Sequence, residues 1–189
     1  MARRTREQID EEILDTAAAL FARHGFEHTS VQRVADATGY SKTGLLHRFP
    51  TKEALQAAAL AMTLAHVRRV VDGVAGAAPG AGRDRAVVAA LADLALSRPG
   101  FTALALSSVS TGDDARAQRM EELGAALFEA FAADPEPGAE RAVRLTTCLG
   151  GLATAALACR GLDAREVRPL LVEAAAGALG HPAAVPAGA

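Results

Sequence analysis

Tryptophan is absent from this 189-residue chain, and Tyr40 is its only tyrosine. With aromatic residues at 4%, a large aromatic cage is excluded, and any ligand site would suit a modest apolar molecule. Cysteine is scarce too. Cys148 and Cys159 would stand on widely separated turns if one helix carries both, too far apart to bridge. They read as free structural thiols of a cytoplasmic protein. Excess charge of one sign is also lacking: the net charge is −2, which argues against generic adhesion to DNA but not against a local basic patch. No apolar run approaches the roughly twenty residues of a membrane span. The basic N-terminus, with Arg3, Arg4 and Arg6, is followed by no apolar stretch of a signal peptide. The histidines (His24, His28, His47, His66 and His181) have no metal-ligand spacing with Asp, Glu or Cys. There is no phosphate-binding glycine motif and no nucleophile elbow. Asp113-Asp114 and Glu121-Glu122 read as solvated charge pairs. Enzyme chemistry, a cofactor, a metal and a membrane are therefore not expected.

What the chain has instead is apolar residues at 50%, dominated by alanine. Alanine is the best helix former and β-branched residues are few, so the fold class is all-α. The length allows one or two domains with a real core.

The organising stretch is residues 29 to 52. Val31, Val34 and Ala35 recur at helical spacing, and Thr29 with Gln32 three residues later predicts a capping-box start. Gly39 can leave the helix in a left-handed conformation, and Ser41 can cap a second helix over about Lys42 to His47. Leu45 and Phe49 face inward, and Pro50 stops the helix. Two short helices joined by a glycine turn make a helix-turn-helix, whose second helix enters the DNA major groove. Lys42, Thr43 and Gly44 lie in its first turn, and His47 and Arg48 in its last. Lys and Arg can donate to guanine O6/N7, and Thr offers a hydroxyl or a methyl to a base edge.

Around this stretch the chain carries Ala-x-x-Leu-Phe-x-x-x-Gly-Phe from Ala17 to Phe26, then Thr-Ser-Val at 29 to 31 and Val-Ala at 34 and 35. Gly-Tyr-Ser-Lys follows at 39 to 42 and Phe-x-x-Lys-Glu-x-Leu at 49 to 55. This collinear block resembles the N-terminal domain of the tetracycline-repressor (TetR) family of bacterial transcription regulators. Position by position, the resemblance implies Gln32, Lys42, Thr43, Gly44 and His47 near bases, and Ser30, Arg48, Thr51 and Lys52 near phosphates. Leu46 departs from the pattern: the family usually has a tyrosine there whose hydroxyl holds a phosphate, a bond that leucine cannot make. Gly44 weakens its helix by roughly 1 kcal/mol relative to alanine.

Along the rest of the chain, a first helix is predicted over Arg6 to His24, with Ile9, Ile13, Ala17, Leu20 and Phe21 buried and Gly25 ending it. Residues 1 to 5 read as a basic arm. Thr51 caps the helix that follows the helix-turn-helix, and a loop is expected over Gly76 to Gly82. Further helices are predicted over Arg85–Leu96, Phe101–Thr111, Ala115–Ala133, Ala139–Arg160 and Ala164–Leu179. The domain division expected is a DNA-binding domain over 1–52, a helical ligand-binding and dimerisation domain over 53–180, and a disordered tail over 181–189.

The last two helices are small and apolar nearly all round, so each must be covered on several sides. TetR-like chains usually dimerise through their last two long helices as a four-helix bundle. The residues expected there are Leu149, Leu152, Ala156, Leu170, Leu171 and Ala175, with either helix as an intramolecular core helix the alternative. The resemblance also places an effector pocket among the helices of the second domain. Its expected lining is Leu104, Met120, Leu123, Leu127, Phe128, Phe131 and Cys148, with Ser107, Ser108, Thr111 and Thr147 as polar contacts. The reading is a homodimeric repressor that binds a palindromic double-stranded operator and is released by a small-molecule effector. The rival, kept open by Leu46, is a helical small-molecule-binding or scaffolding protein that retains the motif without specific DNA binding.

Overall fold

A computed structural model describes residues 5–107, 114–132 and 138–181; of residues 114–117, 119 and 120 only the backbone is described. Among these residues the secondary structure is entirely helical. The helices are α1 (Arg6–His24), α2 (Val31–Thr38), α3 (Lys42–Arg48), α4 (Lys52–Val74), α5 (Ala81–Ser97), α6 (Pro99–Ser107), α7 (Asp114–Ala130), α8 (Ala139–Ala158) and α9 (Ala164–Ala178). They form two compact units, one of Met1–His66 with Arg98–Glu122 and the other of Val67–Ser97 with Leu123–Ala189.

In the first unit, α1 begins with a reciprocal cap. The Thr5 hydroxyl accepts from the Gln8 amide at 3.2 Å, and the Gln8 side chain accepts from the Thr5 amide at 2.9 Å. Thr5 is therefore a helix cap rather than part of an arm, while Arg3 and Arg4 lie outside the described residues. Gly25 ends the helix at φ 79°, a conformation that glycine adopts without strain. The helix buries Ile13, Leu14, Ala17, Ala18 and Phe21, two adjacent faces rather than one stripe. They join Val34 and Ala35 of α2, Leu45 of α3, Leu55, Ala59 and Leu60 of α4, and Phe101 and Leu104 of α6. The first unit thus extends well past the expected boundary at residue 52. Three short helices hold too little apolar area to close a core, and α4 and α6 supply the remainder.

The fit of α6 on α1 is close. The Asp15 carboxylate accepts the Phe101 amide at 2.9 Å, and a Cβ on Gly100 would stand 1.8 Å from the Asp15 carbonyl oxygen. Beside it, Glu11 accepts from Arg98 Nε at 3.0 Å and faces His66 Nε2 at 2.7 Å. Arg98 is the main cause that holds the Glu11 carboxyl below its usual range, whereas burial pushes that of Asp15 up. Glu11 therefore adds stability above the ordinary glutamate range, and that stability is lost as pH falls through its lowered pKa. Replacing Gly100 with alanine drives a methyl into backbone. Gly100→Ala should lower unfolding stability by about 1–3 kcal/mol, read from the midpoint of a urea titration.

In the second unit, α5 starts at Ala81, four residues before the expected Arg85, and its first turn faces inward. Arg83 is buried there and caps the end of α7: its Nε donates to the Ala130 carbonyl at 2.7 Å and its Nη2 to that of Glu129 at 2.9 Å, while Nη1 donates to Ala77 at 2.9 Å. Next to it Asp84, only 2% exposed, accepts two bonds from Arg141 Nη2 at 3.2 and 3.1 Å and meets His181 Nε2 at 2.7 Å. His181, expected in a disordered tail, is therefore fastened to α5; residues 182–189 lie outside the described residues. Arg83 and Asp84 fall between the expected loop and the expected helix, and their buried partners make them helix.

Helices α5, α8 and α9 pack on one another. Leu152 and Ala156 of α8, with Leu171 and Ala175 of α9, are buried inside this unit. These four, expected at a dimer interface, are buried within the single chain, where α8 and α9 pack on α5 and on each other. Leu149 is half-buried, and Leu170 is 67% exposed, as are Val143 and Leu162 nearby at 65% and 64%. Asp84→Ala leaves Arg141 and His181 facing an empty, buried position. A loss of about 3–5 kcal/mol is expected, measured by chemical denaturation.

Candidate nucleic-acid interface

Helices α2 and α3 begin with matching serine caps. Ser30 Oγ accepts the Arg33 amide at 3.1 Å, and Ser41 Oγ accepts the Gly44 amide at 3.0 Å. Between the helices Gly39 sits at φ 74°, ψ 13°, and the Tyr40 amide donates to the Ala35 carbonyl at 3.1 Å. The left-handed glycine reverses the chain, as its position in the sequence predicts. The cap of α2 differs from the expected capping box. Thr29 is buried, and its hydroxyl donates to the carbonyls of Leu20 at 3.2 Å and Gly25 at 2.8 Å. A buried hydroxyl must be satisfied, and the open carbonyls at the end of α1 are within its reach. The role of cap then moves to Ser30, and Gln32 bonds Asp36 Oδ1 at 2.7 Å instead.

Val34, Ala35 and Leu45 turn into the core, so the opposite sides of α2 and α3 face outward. Ser30, Gln32, Lys42, Thr43, His47 and Thr51 are exposed; Gly44, Arg48 and Lys52 are half-buried. Ser30 and Thr51 use their oxygens as acceptors, the latter from the Ala54 amide at 3.0 Å; the Ser30 O–H is left to donate outward, while that of Thr51 meets the Glu53 carboxylate. Gly44 has a local reason to be glycine: a Cβ there would stand 3.1 Å from Ser41 Oγ and crowd the cap of its own helix. Leu46 is half-buried and brings no donor to this surface.

Two of the cations are already engaged. Lys52 Nζ donates to the Phe26 carbonyl at 3.0 Å and lies 4.0 Å from the centre of the Phe26 ring. This leaves two N–H groups of the ammonium at the start of α4, where helix dipole and lysine both favour an anion. Arg48 Nη1 forms an ion pair with Asp10 of α1. Asp10 was not among the residues expected at this surface, and a partner 38 positions away leaves no local sequence signal.

The expected effector residues are not brought together as one lining. Leu104 is fully buried in the core under α1, and the Ser107 hydroxyl donates to the Leu104 carbonyl at 3.0 Å. Leu104 lies in the core where α6 packs on α1. Ser108 and Thr111 lie outside the described residues, as does the Met120 side chain. In the second unit Leu123, Phe131 and Cys148 are buried, Leu127 and Phe128 are half-buried, and Thr147 is exposed. Burial, and after it the nearby Asp84 carboxylate, push the Cys148 thiol up to about 12. Among the described residues no group of three His, Cys, Asp or Glu is placed to hold a metal ion, and no single helix is long and apolar enough to cross a membrane.

The family model described as "Bacterial regulatory proteins, tetR family" matches residues 13–59, from the middle of α1 through the helix-turn-helix into α4. Within that segment the chain matches the TetR N-terminal domain. The transcriptional regulator RutR of Escherichia coli is 44% identical over 52 residues, 28% of this chain and 24% of RutR. The transcriptional repressor AcnR of Corynebacterium glutamicum is 39% identical over 62 residues, 33% of each chain. The chain thus matches a quarter to a third of the length of these curated TetR-like relatives.

Beyond the shared segment the likeness is one of fold. A TetR-family regulator from Bordetella parapertussis superposes with a TM-score of 0.63 at 19% identity, covering 89% of this chain and 94% of its own. PfmR of Thermus thermophilus gives 0.57 at 22% identity, with 97% and 100% covered. The α2–α3 surface therefore lies inside the segment shared with TetR regulators, while the second unit shares only its helical architecture with them.

The two thiols should differ in reactivity. With its thiol near pKa 12, Cys148 holds almost no thiolate at pH 8. A colorimetric thiol reagent should titrate half-buried Cys159 in the folded protein and Cys148 only after denaturant is added. Rapid reaction of both thiols in the native state would contradict this burial.

Proposed function

We propose that this chain is a sequence-specific DNA-binding transcription regulator that acts as a homodimer, a repressor released from a palindromic operator by a small-molecule effector. The observation that carries the reading is the outward face of α3, where Lys42, Thr43 and His47 are exposed on a helix fixed from behind by Leu45. Lysine and threonine are residue types that read base edges, and the helix N-termini of α2 and α4 add hydroxyls and an ammonium that suit phosphate. The repressor sense is supported by the name of AcnR alone.

A two-fold dimer would set two such helices about 34–36 Å apart, the spacing of successive major grooves. The exposed positions of α8 and α9, Val143 and Leu170 among them, are the surfaces this requires, since the inward faces are already used. Effector release would act as a population shift: a ligand that favours one arrangement of the second unit draws the half-sites out of register with the operator. Leu123, Leu127, Phe128 and Phe131 are the part of the expected lining that lies together on α7 and the residue that follows it. The second reading rests on Leu46, whose side chain removes one phosphate anchor: a helical small-molecule-binding or scaffolding protein that no longer reads DNA.

A gel shift on the intergenic DNA upstream of the gene, with scrambled competitor at near-physiological salt, separates the two. Specific binding is expected, weakened roughly tenfold or more by Lys42→Ala or Thr43→Ala, as for loss of a base contact of about 1–3 kcal/mol. Weak binding, equal for all sequences and abolished by salt, would leave the second reading.

A further inference from the structure

We infer that Asp10 acts as an internal stand-in for a DNA phosphate, holding Arg48 in the free protein and giving it up when the duplex binds. This rests on the DNA-binding reading proposed above. Arg48 is the last residue of α3, on the helix that carries exposed Lys42, Thr43 and His47, and Asp10 reaches it from α1. The pair sits at the rim of the unit, with 23% of the Arg48 side chain and 29% of that of Asp10 still exposed, so water and an incoming anion both have access. An ion pair screened to this degree is held weakly. Asp10 meets the guanidinium through Nη1 and one carboxylate oxygen, whereas a phosphate can take it bidentately, with counterion release in addition.

Leu46 has no donor, and Lys52 already shares its ammonium with the Phe26 carbonyl and ring. Arg48 is the remaining strong phosphate donor at the end of α3, and in the free protein its charge is neutralised. Asp10 is thus a positioning residue: it keeps Arg48 extended along the rim and sets a threshold that DNA must exceed. A carboxylate left behind after the exchange also repels the backbone, which adds to that threshold.

Salt dependence separates exchange from a fixed brace. The probe is a duplex that the full-length protein enriches from a random-sequence pool, titrated at several salt concentrations with wild type, Asp10→Asn, Arg48→Ala, the double variant and Glu7→Gln. The last removes one exposed charge from the same helix without touching Arg48.

If Arg48 exchanges, Asp10→Asn tightens binding on the order of two- to fivefold per protomer beyond the gain from Glu7→Gln, with an unchanged salt slope. Arg48→Ala then makes the slope shallower by about 0.9 for each copy on the duplex, and it abolishes the extra gain in the double variant. If Arg48 stays on Asp10 in the complex, Arg48→Ala leaves the slope unchanged and Asp10→Asn steepens it, which overturns the inference. Equal gains from Asp10→Asn and Glu7→Gln overturn it as well. Failure of the wild type to enrich any sequence would instead remove the DNA-binding reading, and the exchange with it.

Discussion

Helix α1 has to bury two faces at once, and the first unit depends on that constraint. The helix packs against both α2 and α6, and its buried residues share one core with Val34, Ala35 and Leu45 of the helix-turn-helix and with Phe101 and Leu104 of α6. Three polar ties between this region and its support also end on α1 or just beyond it. Thr29 reaches the carbonyls of Leu20 and Gly25, Arg48 reaches Asp10, and Lys52 reaches Phe26. The apolar contacts resist separation in any direction, while the polar ones set rotation and register, for which area alone has no preference. A recognition surface needs both, because side chains on a helix as short as α3 point where its supports direct them.

The second unit is built on the same division of labour. Aliphatic and alanine faces of α5, α8 and α9 supply the area, and a pair of neighbouring polar residues, Arg83 and Asp84, supplies orientation. Both are buried in the first turn of α5, and apart from the Arg83 bond to Ala77 their partners lie far away in the chain. A buried carboxylate with a guanidinium and an imidazole against it can occupy few arrangements, whereas alanine-rich helices can slide with little penalty.

Local features were legible in the residues, and long-range ones were not. Gly39, Ser41 and Thr51 announced a turn and two caps because their chemistry acts within three or four residues. The span of α1 followed from its apolar spacing and from Gly25. Thr29 misled because two adjacent hydroxyls, Thr29 and Ser30, can each cap a helix, and only the position of the open carbonyls of α1 decides between them. Arg83 and Asp84 fell between the expected loop and the expected helix, because nothing within a few residues shows the partners that bury them. For the expected dimer residues, apolar spacing shows that a face is covered without showing by what. Asp10, Arg141 and His181 acquire their roles through partners 38, 57 and 97 positions distant, which no local pattern encodes.

The guanidinium of Arg83 has a consequence for the order in which the chain assembles. It closes the last turn of α7 from 46 and 47 residues upstream, by bonding the Glu129 and Ala130 carbonyls. Neither the end of α7 nor the inward-facing start of α5 is complete until that long loop has closed. Loop closure of this length carries an entropic penalty before any contact rewards it, so it belongs late in folding. The local helical pairs, α2 with α3 above all, can form early, whereas the second unit gains its final geometry in one cooperative, long-range step.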